Sequence, residues 1–338
     1  IQLCFTGCDR VIFSVSVSYI GKRQAELNLN RELAEKTVAQ AAAEAEKIWN
    51  KMLSAVPADD IPLEKRSVFY SCLYRTLLFP HSFYEYDEHN SAVHYSTALG
   101  RCAEGEMYVD NGAWDVFRTQ YPFLAEYYPE KYTRIVRSHI QYYRESGWLP
   151  KWLSPGECGV MPGTLIDGII ADAAVRGLLS REDLKEAYEG MKKHALCEGE
   201  GNHGRVFTGE YAEKGYIPKE RCLKSANLTE DYSYGDFCIA TVAKILGYAE
   251  DESYFRARSE NYRNLFDKST GFIRGRNADG SFSPDFDPLS WGGEYCEGGA
   301  WQNGFFAVHD IAGLASLYGG TEGLIKKLDE LFETAPLY

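Results

Sequence analysis

Residues 165–196 read LIDGIIADAAVRGLLSREDLKEAYEGMKKHAL, and this stretch decides the fold. Residues 169–178 within it are apolar on most faces, which predicts a helix enclosed by protein on all sides. Residues 181–196 carry apolar and charged side chains at helical spacing, which predicts an amphipathic outer helix. The same inner and outer alternation recurs at residues 236–246 with 252–266, and at residues 305–317 with 322–332. Helix pairs that are joined by short loops and repeat around a centre predict an all-α fold, an (α/α) toroid.

Apolar residues at helical spacing predict helices along most of the remaining chain. The predicted helices cover residues 25–53, 64–79, 114–128, 130–146, 165–179, 181–196, 229–246, 252–266, 302–317 and 322–332. Residues 11–20 instead alternate apolar and small polar side chains, which predicts one half-buried strand. We expect no second region rich in strands.

The composition excludes several classes of partner. The 338 residues contain 36 basic and 49 acidic side chains, a net charge of −13, which argues against nucleic acid or an anionic membrane as a partner. A neutral, polar substrate is the expectation. The nine cysteines are scattered without metal-binding spacing, which predicts buried free thiols and a cytoplasmic location. The chain starts without Met and inside predicted structure, so we expect a fragment whose targeting segment could have been lost.

Glu297 is the first candidate for chemistry, because it lies before Gly298 and Gly299 in a loop rich in aromatic residues. Glycines allow close approach of a ligand, and aromatic walls would desolvate the carboxyl group and raise its pKa toward the range of a general acid. The alternative is an ordinary helix-capping glutamate. Asp115, followed one turn later by Arg118, is the second candidate, and its alternative is a carboxylate that stabilises a helix N-terminus.

Two further clusters are weaker candidates. His309 and Asp310 are predicted to lie mid-helix, where a buried hydrogen-bonded pair is favoured over a catalytic dyad. Four tryptophans lie beside Gly or Pro in loops, where they stack on sugar rings or close the ends of a helical barrel: Trp148, Trp152, Trp291 and Trp301. Acidic groups and tryptophans on the loops of a toroid together indicate a glycoside hydrolase.

At these clusters the sequence resembles the calcium-dependent exo-acting α-mannosidases of glycoside hydrolase family 92. Seven stretches carry the resemblance in the family's order: residues 15–29, 108–129 around WDVFRT, 147–152 (GWLPKW), 161–173 (MPGTLIDGIIADA), 234–240, 261–280 and 297–310 (EGGAWQNGFFAVHD). The resemblance implies inverting hydrolysis of terminal α-linked mannose in oligosaccharides or N-glycans by an (α/α)6 toroid that follows a β-sandwich. It implies that Glu297 is the catalytic acid and that Asp115 binds the mannose. It further implies a pocket lined by the remaining matched side chains, Trp114, Arg118, Trp301 and Gln302.

The sequence departs from the family pattern in three ways. Gly299 and Asn303 replace the usual Asn and Tyr, and Asp231 stands where a Glu is usual. The family's general-base aspartates and its calcium-associated segment lie beyond Tyr338, so we expect the base and the calcium ligands outside this chain and no metal ligand within it. Residues 1–24 would then be a short β remnant and linker. Residues 25–338 would be an incomplete toroid, inactive alone, which self-associates through exposed helix faces.

Two other functions remain open at this point. One is a different (α/α)6 glycosidase that uses Asp115 or Asp236 as its base with Glu297 as its acid. The other is a catalytically inactive relative that binds carbohydrate.

Overall fold

The computed structural model describes residues 6–7 and 9–334, and most of these residues are helical. The chain divides into two units, Ile1–Tyr108 and Val109–Tyr338. The predicted domain boundary after residue 24 stays a prediction, and a continuous helix passes through this point. Among the described residues, no helix is both long enough and apolar enough to cross a membrane.

The first unit begins with three helices, α1 (Lys22–Leu33), α2 (Val38–Leu53) and α3 (Leu63–Thr76). The single helix predicted over residues 25–53 is wrong, because Thr37 begins a new helix by accepting a hydrogen bond from the Gln40 backbone N–H. The strand predicted over residues 11–20 is also wrong: residues 9–21 form no strand. The apolar side chains of Val15 and Val17 are exposed there.

Short strands follow between residues 81 and 109, so the expectation that no further region is rich in strands is wrong. They are β1 (His81–Ser82), β2 (Glu85–Tyr86), β3 (Ala92–Ser96), β4 (Arg101–Glu104) and β5 (Tyr108–Val109). Strands β2, β3 and β4 form an antiparallel sheet in that order. The Asp87 carboxylate shapes the first hairpin by accepting hydrogen bonds from the backbone N–H groups of His89 and Ser91, each at 2.8 Å.

The second unit contains the remaining elements. They are β6 (Asn111–Gly112), α4 (Ala113–Val116), α5 (Gln120–Tyr127), α6 (Pro129–Ser146), β7 (Trp152–Leu153), α7 (Ile166–Val175), α8 (Arg181–Leu196), α9 (Thr208–Lys214), α10 (Ser225–Leu246), α11 (Ala249–Arg258), a 3-10 turn (Asn261–Leu265), β8 (Phe266–Asp267), β9 (Phe272–Ile273), α12 (Ala300–Asn303), α13 (Ile311–Leu317) and α14 (Thr321–Glu333). As predicted, α7 and α10 are buried on most faces. Helices α8 and α11 pack against α10 with one exposed face each.

The continuous helix predicted over residues 302–317 is wrong. Residues 304–310 are irregular between α12 and α13, and Asp310 begins α13 by accepting a hydrogen bond from the Gly313 backbone N–H at 2.8 Å. His309 therefore lies outside a helix. Helix α9 was not predicted from the sequence.

Buried ion pairs join the inner helices. Arg205 is 1% exposed, and its guanidinium donates to Asp236 at 2.6 Å and to Asp167 at 3.2 Å. Arg258 on α11 donates to the other oxygen of Asp236 at 2.8 Å. A Cβ atom at residue 235 would lie 2.5 Å from the Arg205 guanidinium, so Gly235 leaves the space that this arginine needs. One carboxylate thus ties α10 to α11 and to the loop before α9.

Candidate active site

Glu297 lies in the loop before α12 with a left-handed backbone at φ 49°. Its side chain is exposed, so the desolvation that the sequence predicted for this carboxyl group is wrong. The left-handed conformation costs a residue with a Cβ atom about 1–2 kcal/mol, and it persists only where neighbouring contacts enforce it. The loop therefore needs anchors on both sides of the glutamate.

Side-chain amides supply these anchors. Asn227 on α10 accepts a hydrogen bond from the Cys296 backbone N–H at 2.6 Å and donates to Asn303 at 2.9 Å. Asn303 in turn donates to the Gly299 carbonyl oxygen at 3.1 Å, and Gln302 accepts from the Gly299 N–H at 2.8 Å. Asn303, which stands where the family resemblance leads one to expect Tyr, is therefore part of the hydrogen-bond network that holds the loop.

Two cavities adjoin this loop, and each is named here by a residue in its wall. The Asp231 cavity has a volume of about 260 Å³, below the range of about 300–1,000 Å³ typical of drug-sized ligands, which suits a single ring. Its wall is Trp114, Phe117, Arg118, Leu165, Asn227, Asp231, Cys296, Glu297, Gln302, Asn303, Phe305, Phe306 and Val308. The Lys151 cavity has a volume of about 560 Å³. Of all these residues, only Glu297 also lines the Lys151 cavity.

Asp231 is the residue whose importance the sequence did not reveal. Its side chain is 2% exposed, and its Oδ2 atom has no hydrogen-bond partner in the described structure. Burial raises the pKa of this carboxyl group to about 8, against the opposing effect of the Arg118 and Arg205 charges. The carboxyl group is therefore mostly neutral at pH 7, and its O–H is able to donate a hydrogen bond to a ligand hydroxyl group. Its replacement of the family's Glu was the available signal.

Asp115 and Arg118 stand at the edge of the same region. Burial and then the nearby charge of Glu297 raise the pKa of Asp115, while the Arg118 charge opposes the rise. The Arg118 guanidinium lies 5.9 Å from the Trp114 ring centre and 5.7 Å from that of Phe306. Asp115 is not among the residues that line the Asp231 cavity.

Several predicted residues lie elsewhere. The Trp301 ring packs edge-on against Phe272 at 4.7 Å between ring centres, in a buried apolar cluster, and does not line either cavity described above. Trp148 is likewise buried, stacked on His194. Trp291 is 67% exposed. Trp148 and Trp301 are core residues and Trp291 is a surface residue, and none of the three lines either cavity.

The His309 and Asp310 pair does not form. His309 Nε2 hydrogen-bonds the Ser259 carbonyl oxygen at 2.8 Å, and burial lowers the pKa of the imidazole. Asp310 accepts hydrogen bonds from Tyr262 and Arg263, both at 2.8 Å. Each side chain has a structural partner of its own. The buried-pair interpretation is therefore also wrong, although both residues are structural.

Asp236 does not fit the base that the alternative glycosidase would need. Both of its oxygens accept from buried guanidinium groups, and its side chain is fully enclosed. An activated water has no place beside a carboxylate that two arginines occupy.

The seven cysteines in the described part are free, but only Cys238 and Cys296 are buried, so the expectation of buried thiols is wrong for the others. Among the residues that the structure places, no group of three or more His, Cys, Asp or Glu side chains is arranged to hold a metal. Calcium takes about 6–8 oxygen ligands, and cavities with one or two carboxylates beside Arg118 or lysines do not fit it.

The Glu297 carboxyl group lies on the wall shared by two cavities, an arrangement that suits an enzyme that cleaves a bond between two sugars. The chain belongs to glycosyl hydrolase family 92, because the catalytic-domain model of that family matches residues 24–337. The predicted all-α fold is confirmed, since solved structures of the family share it and their catalytic domain is an (α/α)6 toroid.

Two solved structures show the similarity. The family GH92 inverting mannosidase BT2199 from Bacteroides thetaiotaomicron is 37% identical, with a TM-score of 0.89 over 92% of this chain and 42% of that one. The α-mannosidase BT3965 from the same organism, solved with mannoimidazole, is 27% identical, with a TM-score of 0.84 over 95% of this chain and 42% of that one.

A curated relative is also similar. An uncharacterised secreted glycosidase of Arthroderma benhamiae is 26% identical over 375 residues, which cover 100% of this chain and 44% of that protein. This chain therefore spans less than half the length of these relatives. The cytoplasmic location expected from the cysteines finds no support in a relative described as secreted.

Proposed function

We propose that this chain takes part in the inverting hydrolysis of terminal α-linked mannose in oligosaccharides or N-glycans, with Glu297 as the general acid. The observation that carries the proposal is the position of Glu297 on the wall common to both cavities. A proton donor must reach the oxygen that joins two sugars, and that oxygen lies where the two sugar sites meet. The sugar is inferred from the similar proteins BT2199 and BT3965, which are mannosidases.

In this proposal the mannose ring occupies the Asp231 cavity, and the released sugar occupies the Lys151 cavity. Trp114 and Arg118 bound the mannose on one side, and the neutral Asp231 carboxyl group binds one of its hydroxyl groups from below. In the proposal, Asp115 and Gln302 bind the same ring, and Gln302 lies in the wall of the cavity. Glu297 transfers its proton to the bridging oxygen as the bond to the mannose breaks.

Inversion also needs a base about 6.5–9.5 Å from the acid, with an attacking water between them. Asp236 is held by Arg205 and Arg258, and Asp231 is mostly protonated at pH 7. We therefore place the base outside these 338 residues and expect the chain to be inactive by itself. The family resemblance also implies calcium, and we expect its ligands, like the base, outside these residues.

One observation favours a second candidate, an (α/α)6 glycosidase with Asp115 as its base. The charge of Glu297 is one of the causes that raise the pKa of Asp115, which indicates that the two carboxyl groups lie near each other. Measurable turnover by the 338-residue chain that Asp115→Asn abolishes would favour this candidate over an external base.

Leaving-group dependence tests the role of Glu297. In the longest reading frame that contains this sequence, Glu297→Gln should lower the hydrolysis of an α-linked mannobiose by about 100-fold or more, because the departing alkoxide needs a proton. Hydrolysis of 2,4-dinitrophenyl α-mannoside, whose leaving group needs no proton, should fall far less. Equal losses on both substrates would contradict the role. Glu294→Gln in the same loop is the matched control for substitution.

Mannose binding separates the proposal from the inactive relative. The wild-type chain and Glu297→Gln should both bind methyl α-mannoside in calorimetry, whether or not catalysis occurs. If neither protein binds it, both sugar-binding functions are wrong. If binding occurs and the full reading frame has no glycosidase activity, the inactive relative is the better account.

A further inference from the structure

The wall of the Lys151 cavity contains two lysines, although the chain as a whole is acidic. The chain carries a net charge of −13, yet the cavity wall holds two lysines, Lys151 and Lys224, and one carboxylate, Glu297. The remaining lining residues are uncharged: Gly159, Val160, Met161, Pro162, Gly163, Gly204, Val206, Cys222, Leu223, Leu228 and Tyr232. An uncharged leaving sugar requires neither ammonium group.

Lys151 is poorly compensated. Its ammonium group donates to the Gly204 carbonyl oxygen at 3.2 Å, which leaves two of its three donors for a ligand. Burial lowers the pKa of this amine, and the charge of Glu157 opposes the change. The Glu157 carboxylate does not line the cavity, because it accepts hydrogen bonds from the backbone N–H groups of Lys151, Trp152 and Gly159, at 2.6–3.1 Å. An anion in the cavity would pair with an ammonium group that is already partly desolvated.

Lys224 stands at the side of the cavity next to the catalytic loop. Its charge opposes the rise that burial causes in the pKa of the Cys296 thiol, one residue before Glu297. Its backbone is left-handed at φ 66°, and its N–H donates to the Gly293 carbonyl oxygen at 2.8 Å. This conformation is costly for lysine, and the contacts around residues 293–296 hold it in place.

We infer that the Lys151 cavity binds an anionic substituent, a phosphate or a carboxylate, on the sugar that is released from the mannose. This inference rests on the proposed function, since it takes the Lys151 cavity as the site of the released sugar. The anion is a substituent and not the leaving atom itself. A phosphate oxygen would depart without a proton, and a general acid at Glu297 would then have no task.

Calorimetry on the chain with three α-mannosyl disaccharides tests the inference. The released sugar is glucose in the first, glucuronic acid in the second and glucose 6-phosphate in the third. At least one charged disaccharide should bind about tenfold more tightly than the neutral one at low salt, the effect of one added charged hydrogen bond. The charged probe that binds more tightly identifies the anion. The preference should shrink in 1 M salt.

Substitutions locate the effect. Lys151→Gln and Lys224→Gln should each remove most of the preference for the charged disaccharide, because they lower its affinity far more than that for the neutral one. The exposed Lys185→Gln changes the net charge equally and should leave the preference intact. Melting curves by circular dichroism confirm that each variant folds. Equal affinity of the wild-type chain for all three disaccharides would overturn the inference.

Failure of the proposed function has a different signature. If methyl α-mannoside and all three disaccharides fail to bind, the mannose site is wrong. Glucose 6-phosphate and glucuronate alone then test the cavity. Lysine-dependent binding of either would keep the anion site, and no binding would end it.

Discussion

The left-handed backbone at Glu297 lowers the stability of the folded chain. Glycine adopts a left-handed backbone without the cost of about 1–2 kcal/mol that a Cβ atom brings. Glu297→Gly should therefore stabilise the chain by about 1 kcal/mol against denaturant while removing the acid. Glu297→Ala keeps the Cβ atom and should give no such gain. A destabilised glycine variant would show that the φ of 49° is not strained.

Asp231 should make stability depend on pH. Its pKa of about 8 in the folded chain lies above the ordinary value of 3.8, so the folded state binds more protons between these pH values. Stability is then fully present below about pH 4 and falls as pH rises to about 8. Asn does not titrate, so the advantage of Asp231→Asn over the wild type should grow from pH 4 to pH 8 and then level off. A difference in melting temperature that is constant with pH would contradict this.

At the scale of the element, α10 depends on a carboxylate that the sequence made a catalytic candidate. Removal of one partner from a buried ion pair typically costs about 3–5 kcal/mol, because it leaves the other charge uncompensated. Asp236→Ala should show this loss in denaturant unfolding, since Arg205 and Arg258 both depend on it. Asp329→Ala, on the exposed side of α14, should change stability by less than about 0.5 kcal/mol. Equal effects would mean that Asp236 is not structural.

The same helix carries a second buried acid. Both oxygens of Glu230 lack a hydrogen-bond partner in the described structure, and burial raises the pKa of the carboxyl group well above its usual value, with the Asp231 charge as a smaller cause. Glu230→Leu should raise the melting temperature, and more at pH 8 than at pH 4, because the buried acid is destabilising where it would otherwise ionise. A variant less stable than the wild type at pH 8 would show that the carboxyl group has a partner, such as a water.

The sequence predicted elements best where burial is uniform. Helix α7 and residues 237–246 of α10 are mostly apolar, and this composition predicts a helix enclosed by protein. It failed at residues 304–310, where apolar residues keep helical spacing although Asp310 starts a new helix. It also missed strands of two to five residues, such as β2 and β3, which are too short to show alternation.

At the scale of the whole molecule, the sequence indicated a candidate residue but not the geometry around it. A glutamate before two glycines pointed to Glu297 from the sequence alone. The two cavities are formed by residues more than 60 positions apart in the sequence. The same holds for the approach of Asp231 on α10 to the loop that contains Glu297. No local pattern reports such distances, and the same limit explains why Trp301 was taken for a pocket residue although it belongs to the core.

The first unit exposes an unusual amount of apolar surface, which bears on the predicted self-association. Val15 and Val17 are 74% and 75% exposed, and none of the residues of α2 is buried. Exposed apolar side chains of this kind favour association in water. The chain should therefore form dimers or larger species at micromolar concentration in sedimentation velocity. The double substitution Val15→Lys with Val17→Lys should shift it toward monomer.

The control for this experiment keeps the charge and moves it off the apolar row. Ser14→Lys with Ser16→Lys adds the same two charges next to the valines and should reduce association less, because it leaves the valine side chains in place. If both pairs act equally, general repulsion explains the change and the apolar row does not. If the wild-type chain sediments as a monomer at all concentrations, the exposed valines do not cause association, and the predicted self-association is wrong.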